Sequence, residues 1–252
     1  MNDRIHKIEN DVQDRNSVAW KKMCEYIDKV VTENREEFSP LEELGQDLFS
    51  QIHTLPETIS KLKNVKRVWL YGSKLKRIPP EIGEMESLEY FDPYTSYDLH
   101  WFPYEITNCK KLKDSRVSTR ALFGNHKNRM RFPILTHNPV RGFGQIFKCS
   151  ICKKEIACEQ ANQLWITLRV GTDVLPLLAN LCSSECEKKL PKPELGYVQF
   201  PHKGGPDLKQ PTNKEWEEAI RIKNPMRKIE IANENTKNEL PKLLKLIRKI
   251  WE

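Results

Sequence analysis

LPETISKLKNVKRVWLYGSKL (55–75), IPPEIGEMESLEYFDPYTSYDL (78–99) and FPYEITNCKKLKDSRVSTRAL (102–122) are one pattern written three times. Leu55, Ile78 and Phe102 each precede a proline, which sets periods of 23 and 24 residues. Ile59, Ile82 and Ile106 correspond, as do Leu62, Met85 and Cys109, then Val65, Leu88 and Leu112, and Leu75, Leu99 and Leu122 close the units. Each unit contains a strand-like segment of alternating character. In the first, Val68 and Leu70 face inward while Arg67, Trp69 and Tyr71 face outward. No unit of this size buries its apolar side alone, so the turns must stack.

The period and the x-L-P-x-x-I-x-x-L-x-x-L pattern resemble the leucine-rich repeat family over about residues 52–125. The resemblance implies a short curved solenoid with one strand per turn and a concave recognition face. On that face the outward residues form three columns: Arg67, Tyr90 and Asp114; Trp69, Asp92 and Arg116; Tyr71, Tyr94 and Ser118. Aromatic and Arg side chains there match the composition of protein-binding hot spots. Two departures stand out. Ser73, Ser96 and Arg120 occupy the position where the family places a buried Asn, and Pro93 sits in the second strand, which predicts an irregular ladder in the middle turn. Three turns need capping at both ends.

Upstream, residues 18–32 read as an amphipathic helix with Val18, Met23, Ile27, Val30 and Val31 as its apolar positions and Ser17 as N-cap. A second helix is expected over 41–52. Downstream, residues 126–147 carry prolines and glycines without a period and read as a linker or an extended packing strap. Residues 163–170 alternate as a strand, Gly171-Thr172-Asp173 turns, and VLPLLANL returns. A short helix is expected at 214–222, and Asn238 to Trp251 reads as an amphipathic helix with Pro241 in its first turn.

The second strong signal is a cysteine quartet, Cys149-x-x-Cys152 and Cys182-x-x-x-Cys186, with 29 residues between the pairs. Two close thiol pairs separated by room for a hairpin suit a tetrahedral metal, and four Cys ligands leave no open position on Zn²⁺. The expected cofactor is therefore one structural zinc, with iron the alternative. The layout resembles a treble-clef zinc finger, which implies a first pair in a knuckle and a second at a helix N-terminus, where free N–H groups stabilise thiolate. Cys158 is the rival ligand; Cys24 and Cys109 read as core.

Composition bounds the rest. With 42 basic and 35 acidic residues the net charge is +7, spread among acids rather than gathered in one run, which argues against a dedicated nucleic-acid surface. No apolar run reaches membrane-spanning length, no secretory leader is visible, and seven cysteines with an odd remainder favour a reducing, cytoplasmic setting. Phosphate-loop, H-E-x-x-H and G-x-S-x-G signatures are absent; the Gly142-Phe143-Gly144 pair lacks a third glycine; His100, His137 and His202 read as surface or turn residues. The expected fold class is α+β: an N-terminal helical cap (1–51), three repeat turns (52–125), a linker (126–145), a zinc-binding domain (146–195) and a C-terminal loop and helix (196–252). The expected function is a non-enzymatic protein-interaction module. It resembles small bacterial leucine-rich repeat proteins that act as adaptors or immunity factors. The alternatives are a nucleic-acid-binding zinc finger, using Arg129, Arg131, Arg141, Lys148, Lys153 and Lys154, and a zinc-dependent hydrolase.

Overall fold

The computed structural model describes residues 13–136, 139–141 and 146–222. Among these, the first half runs α1 (Val18–Thr32), β1 (Glu37–Phe38), α2 (Pro40–Phe49), β2 (Arg67–Trp69), β3 (Tyr90–Asp92), β4 (Phe102–Pro103) and β5 (Asp114–Ser115). The second half adds β6 (Ile146–Lys148), β7 (Glu155–Ala157), β8 (Asn162–Val170), β9 (Asp173–Leu181) and α3 (Ser184–Glu187). Residues 213–222 are helical as well. The fold is mixed α and β with several sheets. The amphipathic helix read at Asn238–Trp251 lies outside the described residues, as do His137 and the Gly142–Gly144 stretch.

Strands β1, β2, β3 and β5 form a parallel sheet in that order, with Arg67 opposite Tyr90, Tyr90 opposite Asp114, and Trp69 opposite Asp92. The repeat period thus sets the register. A second recurrence is in the backbone. The carbonyl preceding each strand takes two N–H groups from the next: Glu36 O from Lys66 and Arg67, Lys66 O from Glu89 and Tyr90, Glu89 O from Lys113 and Asp114. Behind the strands lie three 3-10 turns, Glu57–Lys61, Pro80–Glu84 and Tyr104–Asn108, each entered from a proline at φ −62, −74 and −68. Proline's fixed φ suits the residue entering a helical turn. Ile59, Ile82 and Ile106 are buried beneath them. Each such side chain contributes about 1.5–3 kcal/mol by leaving water. Successive turns approach closely at Gly83, where a Cβ would lie 2.3 Å from Glu105 O, so only glycine fits.

Strand β1 was not expected. Glu37–Phe38, between the two expected helices, adds a rung at the N-terminal edge. α1 has the expected limits, and Ser17 Oγ accepts from Trp20 N at 3.2 Å. Its buried face differs from the expected one. Ala19, Met23, Tyr26, Ile27 and Val30 point into the core, whereas Val18 and Val31 are exposed. α2 spans Pro40–Phe49 rather than 41–52, kinked where Gly45 takes φ 74.

The middle turn is less irregular than Pro93 suggested. Leu70 N bonds Asp92 O at 2.8 Å and Gly72 N bonds Tyr94 O at 2.9 Å, so the ladder towards β2 passes the proline intact. Alternation points residues 90, 92 and 94 towards β2 and 91 and 93 towards β5. The N–H that proline lacks therefore belongs to the β5 side, where the pairing ends at Ser115. The position expected to differ from the family's Asn is filled by hydroxyls in two turns. Ser73 Oγ and Ser96 Oγ lie 2.6 Å apart in the interior, while Arg120 is exposed.

Strands β8 and β9 form the expected hairpin around Gly171-Thr172. Gly171 at φ 57 fits the first position of a type II′ turn. β9 also pairs in parallel with β4, Phe102 opposite Leu177, so the repeat segment and the hairpin share a sheet. The hairpin tip then caps the ladder. Thr172 Oγ1 donates to Ser115 O at 2.7 Å, Ser115 Oγ has Val170 O at 3.1 Å and Asp173 Oδ2 at 3.0 Å as alternative acceptors for its one proton, and Val117 N donates to the same carboxylate at 3.2 Å. The unpaired edge of β5 is thereby satisfied from outside the repeats. One buried apolar cluster runs from Ala19 through the ladder to Cys186, continuous across the boundary expected at residue 146.

A second cluster gathers Trp101, Phe123, Phe132, Leu135, Val140, Trp165 and Leu178. The segment after 126 is a packing strap. It lies against Trp165, whose Nε1 donates to Pro133 O at 3.0 Å. His202 belongs here too, not to the surface: it is buried, and desolvation pushes its imidazole down to about 4. The His202-Lys203-Gly204-Gly205 turn is internally committed. Gly204 N donates to His202 Nδ1 and Gly205 N to Phe132 O.

Candidate metal centre and recognition face

The four cysteines arrive from two elements. Cys149 and Cys152 flank the turn between β6 and β7, which folds back through Cys149 N to Lys154 O at 2.8 Å and Lys153 N to Cys149 O at 2.9 Å. That tight knuckle places Lys153 at φ 64, a left-handed conformation uncommon for a non-glycine residue. Cys182 follows the last residue of β9, and Cys186 lies in α3, whose N-cap Ser183 accepts from Cys186 N at 3.3 Å. The expected knuckle and helix-start placements are both present.

All four Sγ atoms lie within 4.8 Å of one another. Cys152 Sγ is 3.5 Å from Cys182 Sγ, and Cys182 Sγ is 3.6 Å from Cys186 Sγ. A disulfide would require about 2.05 Å. A tetrahedral ion with metal–sulfur bonds of about 2.3 Å places its sulfurs about 3.8 Å apart, close to what is seen. The thiols also compete for ionisation. Burial opposes charge at Cys149, but backbone N–H groups of Cys152, Ile151 and Cys182 outweigh it and bring the thiol to about 6. Cys182, hydrogen-bonded to Cys152 and Cys186, is driven up to about 12. A divalent cation removes that competition by neutralising the crowded sulfurs. These four residues can hold a metal ion. Cys158 is buried outside the cluster and Cys109 is core, its Sγ 3.2 Å from Ile82 O. Cys24, expected in the core, is only half-buried.

Ser150 ties this centre to the ladder, a role that its sequence context did not signal. Its Oγ donates to Glu105 Oε1 at 2.6 Å and accepts from Asn180 N at 2.9 Å, and its N donates to Asn180 O at 2.7 Å. The residue beside Cys149 is thus fixed to a repeat turn and to the strand that leads into Cys182.

On the outer face of the ladder, Arg67, Tyr71, Tyr94, Asp114 and Arg116 are exposed, and Trp69 and Tyr90 partly so. Trp69 and Tyr90 pack with ring centroids 4.9 Å apart, Tyr71 and Tyr94 at 6.1 Å, and the Arg116 guanidinium lies 4.5 Å from the Tyr94 centroid. Two residues expected to be exposed here are not. Asp92 is 2% exposed, accepting from Tyr94 N at 2.9 Å and Tyr90 OH at 3.1 Å, with Arg116 3.9 Å away. Ser118 is buried and accepts from Thr95 N at 2.8 Å. Both support the face from beneath. Tyr90 is held above its usual range by burial and by the Asp92 bond. Arg67 is engaged by Glu37 at 2.7 Å.

Compared with models of protein families and with curated proteins, the chain matches none. Among the described residues, no helix is long and apolar enough to cross a membrane.

Proposed function

We propose that the chain is a non-enzymatic protein-interaction module of the adaptor or immunity-factor kind, cytoplasmic in setting. Its parts are a short leucine-rich repeat solenoid, capped by helices, and a treble-clef-like finger holding one structural Zn²⁺. The observation that carries this reading is the shared exposure of Trp69, Tyr71, Tyr90, Tyr94 and Arg116 on one face of the parallel ladder. A solvated face would carry Lys, Glu, Ser and Thr; large rings and Arg at this density are what hot spots use. The strap that could have covered these rings packs on Trp165 instead. Four thiolates close the coordination sphere of a tetrahedral ion, leaving no position for activated water, so the metal reads as a support. The nucleic-acid alternative draws little from the structure: Lys153 Nζ donates to Ser150 O and Arg129 Nε to Pro211 O, so backbone carbonyls already engage two of its six candidate cations.

The test is a pair of substitutions, Trp69→Ala with Arg116→Ala, in a native co-purification followed by quantitative binding of the recovered protein. Both side chains lie outside the buried core, so the thermal midpoint should hold. Hot-spot truncations cost about 2 kcal/mol or more each, hence an affinity loss of at least about 100-fold for the pair. A partner retained at wild-type affinity by the double variant would refute the assignment of this face.

A further inference from the structure

A cavity of about 800 Å³ opens on the opposite side of the ladder, between the 3-10 turns and the β6–β9 region. That volume is typical of small-molecule sites. Its walls are apolar where Ile78, Trp101, Phe147 and Leu178 contribute. Its charge is not balanced: six glutamates line it against four Lys and Arg residues.

Two of the glutamates are unusual. Glu81 and Glu105 occupy the same position in successive repeats, each preceding the buried Ile of its turn, Ile82 and Ile106. Glu105 is only 7% exposed. One oxygen of Glu105 takes Ser150 Oγ at 2.6 Å. Oε2 of Glu105 and Oε2 of Glu81 have no hydrogen-bond partner. Burial pushes both carboxyls upward, with Glu57 and Glu84 adding to the effect at Glu81 and Glu81 adding to it at Glu105. A buried carboxylate oxygen without a donor is costly to leave so, by about 1–3 kcal/mol even when uncharged. The repeat itself does not demand an acid here: the first repeat has Thr58 at the same position.

We infer that this cavity is a binding site for a small organic cation, an ammonium or amidinium head on an apolar body, with Glu105 and Glu81 receiving the head. The head supplies the donors that the two free oxygens lack. The apolar body fills the space beside Trp101 and Phe147. An inorganic cation would leave those walls uncovered, and an anion would meet the acidic excess. No residue of the aromatic face and none of the four cysteines lines it, and Lys148 and Lys153 carry its wall up to the first cysteine pair.

Benzamidine and its neutral isostere benzamide are the probes, titrated by ligand-observed NMR and calorimetry. Benzamidine should bind in the millimolar range or tighter, with benzamide at least about tenfold weaker, because only the cation satisfies the carboxylates. Glu105→Gln keeps an acceptor for Ser150 and should weaken benzamidine at least about tenfold while leaving benzamide unchanged. Glu81→Gln is the parallel variant should Glu105→Gln alter the thermal midpoint. Equal binding of the two probes, undiminished benzamidine binding by the folded Gln variants, or no benzamidine binding to the wild type at 10-millimolar scale (about tenfold above the expected range) would each overturn the inference.

Discussion

Replacing Cys149 by Ser should strip the bound metal and lower the thermal midpoint by roughly 10 °C or more. Structural zinc sites in small domains carry apparent binding free energies of about 10–16 kcal/mol, and that energy is folding energy when no site exists in the unfolded chain. A loss of only a few kcal/mol already moves the midpoint of a chain this long by such an amount. The site of damage is specific. Cys149 is fully buried, and the next residue, Ser150, links Glu105 to Asn180. Loss of the ion should therefore free β6, β7 and α3 and loosen the Cys182 end of β9. The repeat turns should persist, since Ile59, Val68, Ile82 and Phe91 are fully buried in successive rungs of the ladder. Hydrogen exchange should rise across 146–157 and 182–190 while residues 59–91 stay protected. An unchanged midpoint and unchanged exchange in a metal-free variant would show that the cysteines do not hold this region.

Trp165→Ala should be nearly as damaging by a different route. Trp165 is fully buried, with Trp101, Phe132 and Phe123 at centroid distances of 5.7, 5.7 and 5.9 Å. Removing a buried Trp costs about 3–5 kcal/mol through lost transfer energy and the cavity left behind. Pro133 O would lose its Nε1 donor as well. The midpoint should fall by about 10 °C, and the strap at 126–136 should lose protection first. Trp165→Phe should lose less, because the ring packing survives in part. A drop under about 2 °C for the Ala variant would mean that this cluster does not seat the strap.

Local, periodic features were readable in advance. The prolines at 56, 79 and 103 and the isoleucines that follow set the register, and Ser17 marked the start of α1. The hairpin around Gly171 and the cysteine quartet carried their geometry in their spacing. What escaped the reading is non-local or lacks a pattern. β1 is two residues long and exists only because β2 offers an edge. Phe102 and Pro103 look like repeat residues, yet they also pair with Leu177 and Leu178. The cap on β5 depends on Thr172 and Asp173, more than fifty residues away, whose types suggest only a turn. Asp92 and Ser118 alternate outward by position but sink beneath Tyr90, Tyr94 and Thr95, because larger neighbours cover short polar side chains.

The role of the metal turns on whether its site is closed. If all four positions belong to cysteine, the ion supports the fold and recognition rests with the aromatic face; if one is open, a metal-centred activity returns. X-ray absorption at the zinc edge of the natively purified protein reads this directly. The expected result is one zinc per chain with four sulfurs at about 2.3 Å and no lighter ligand. Three sulfurs with a shorter oxygen or nitrogen distance of about 2.0–2.1 Å, or protein that folds without metal, would contradict it.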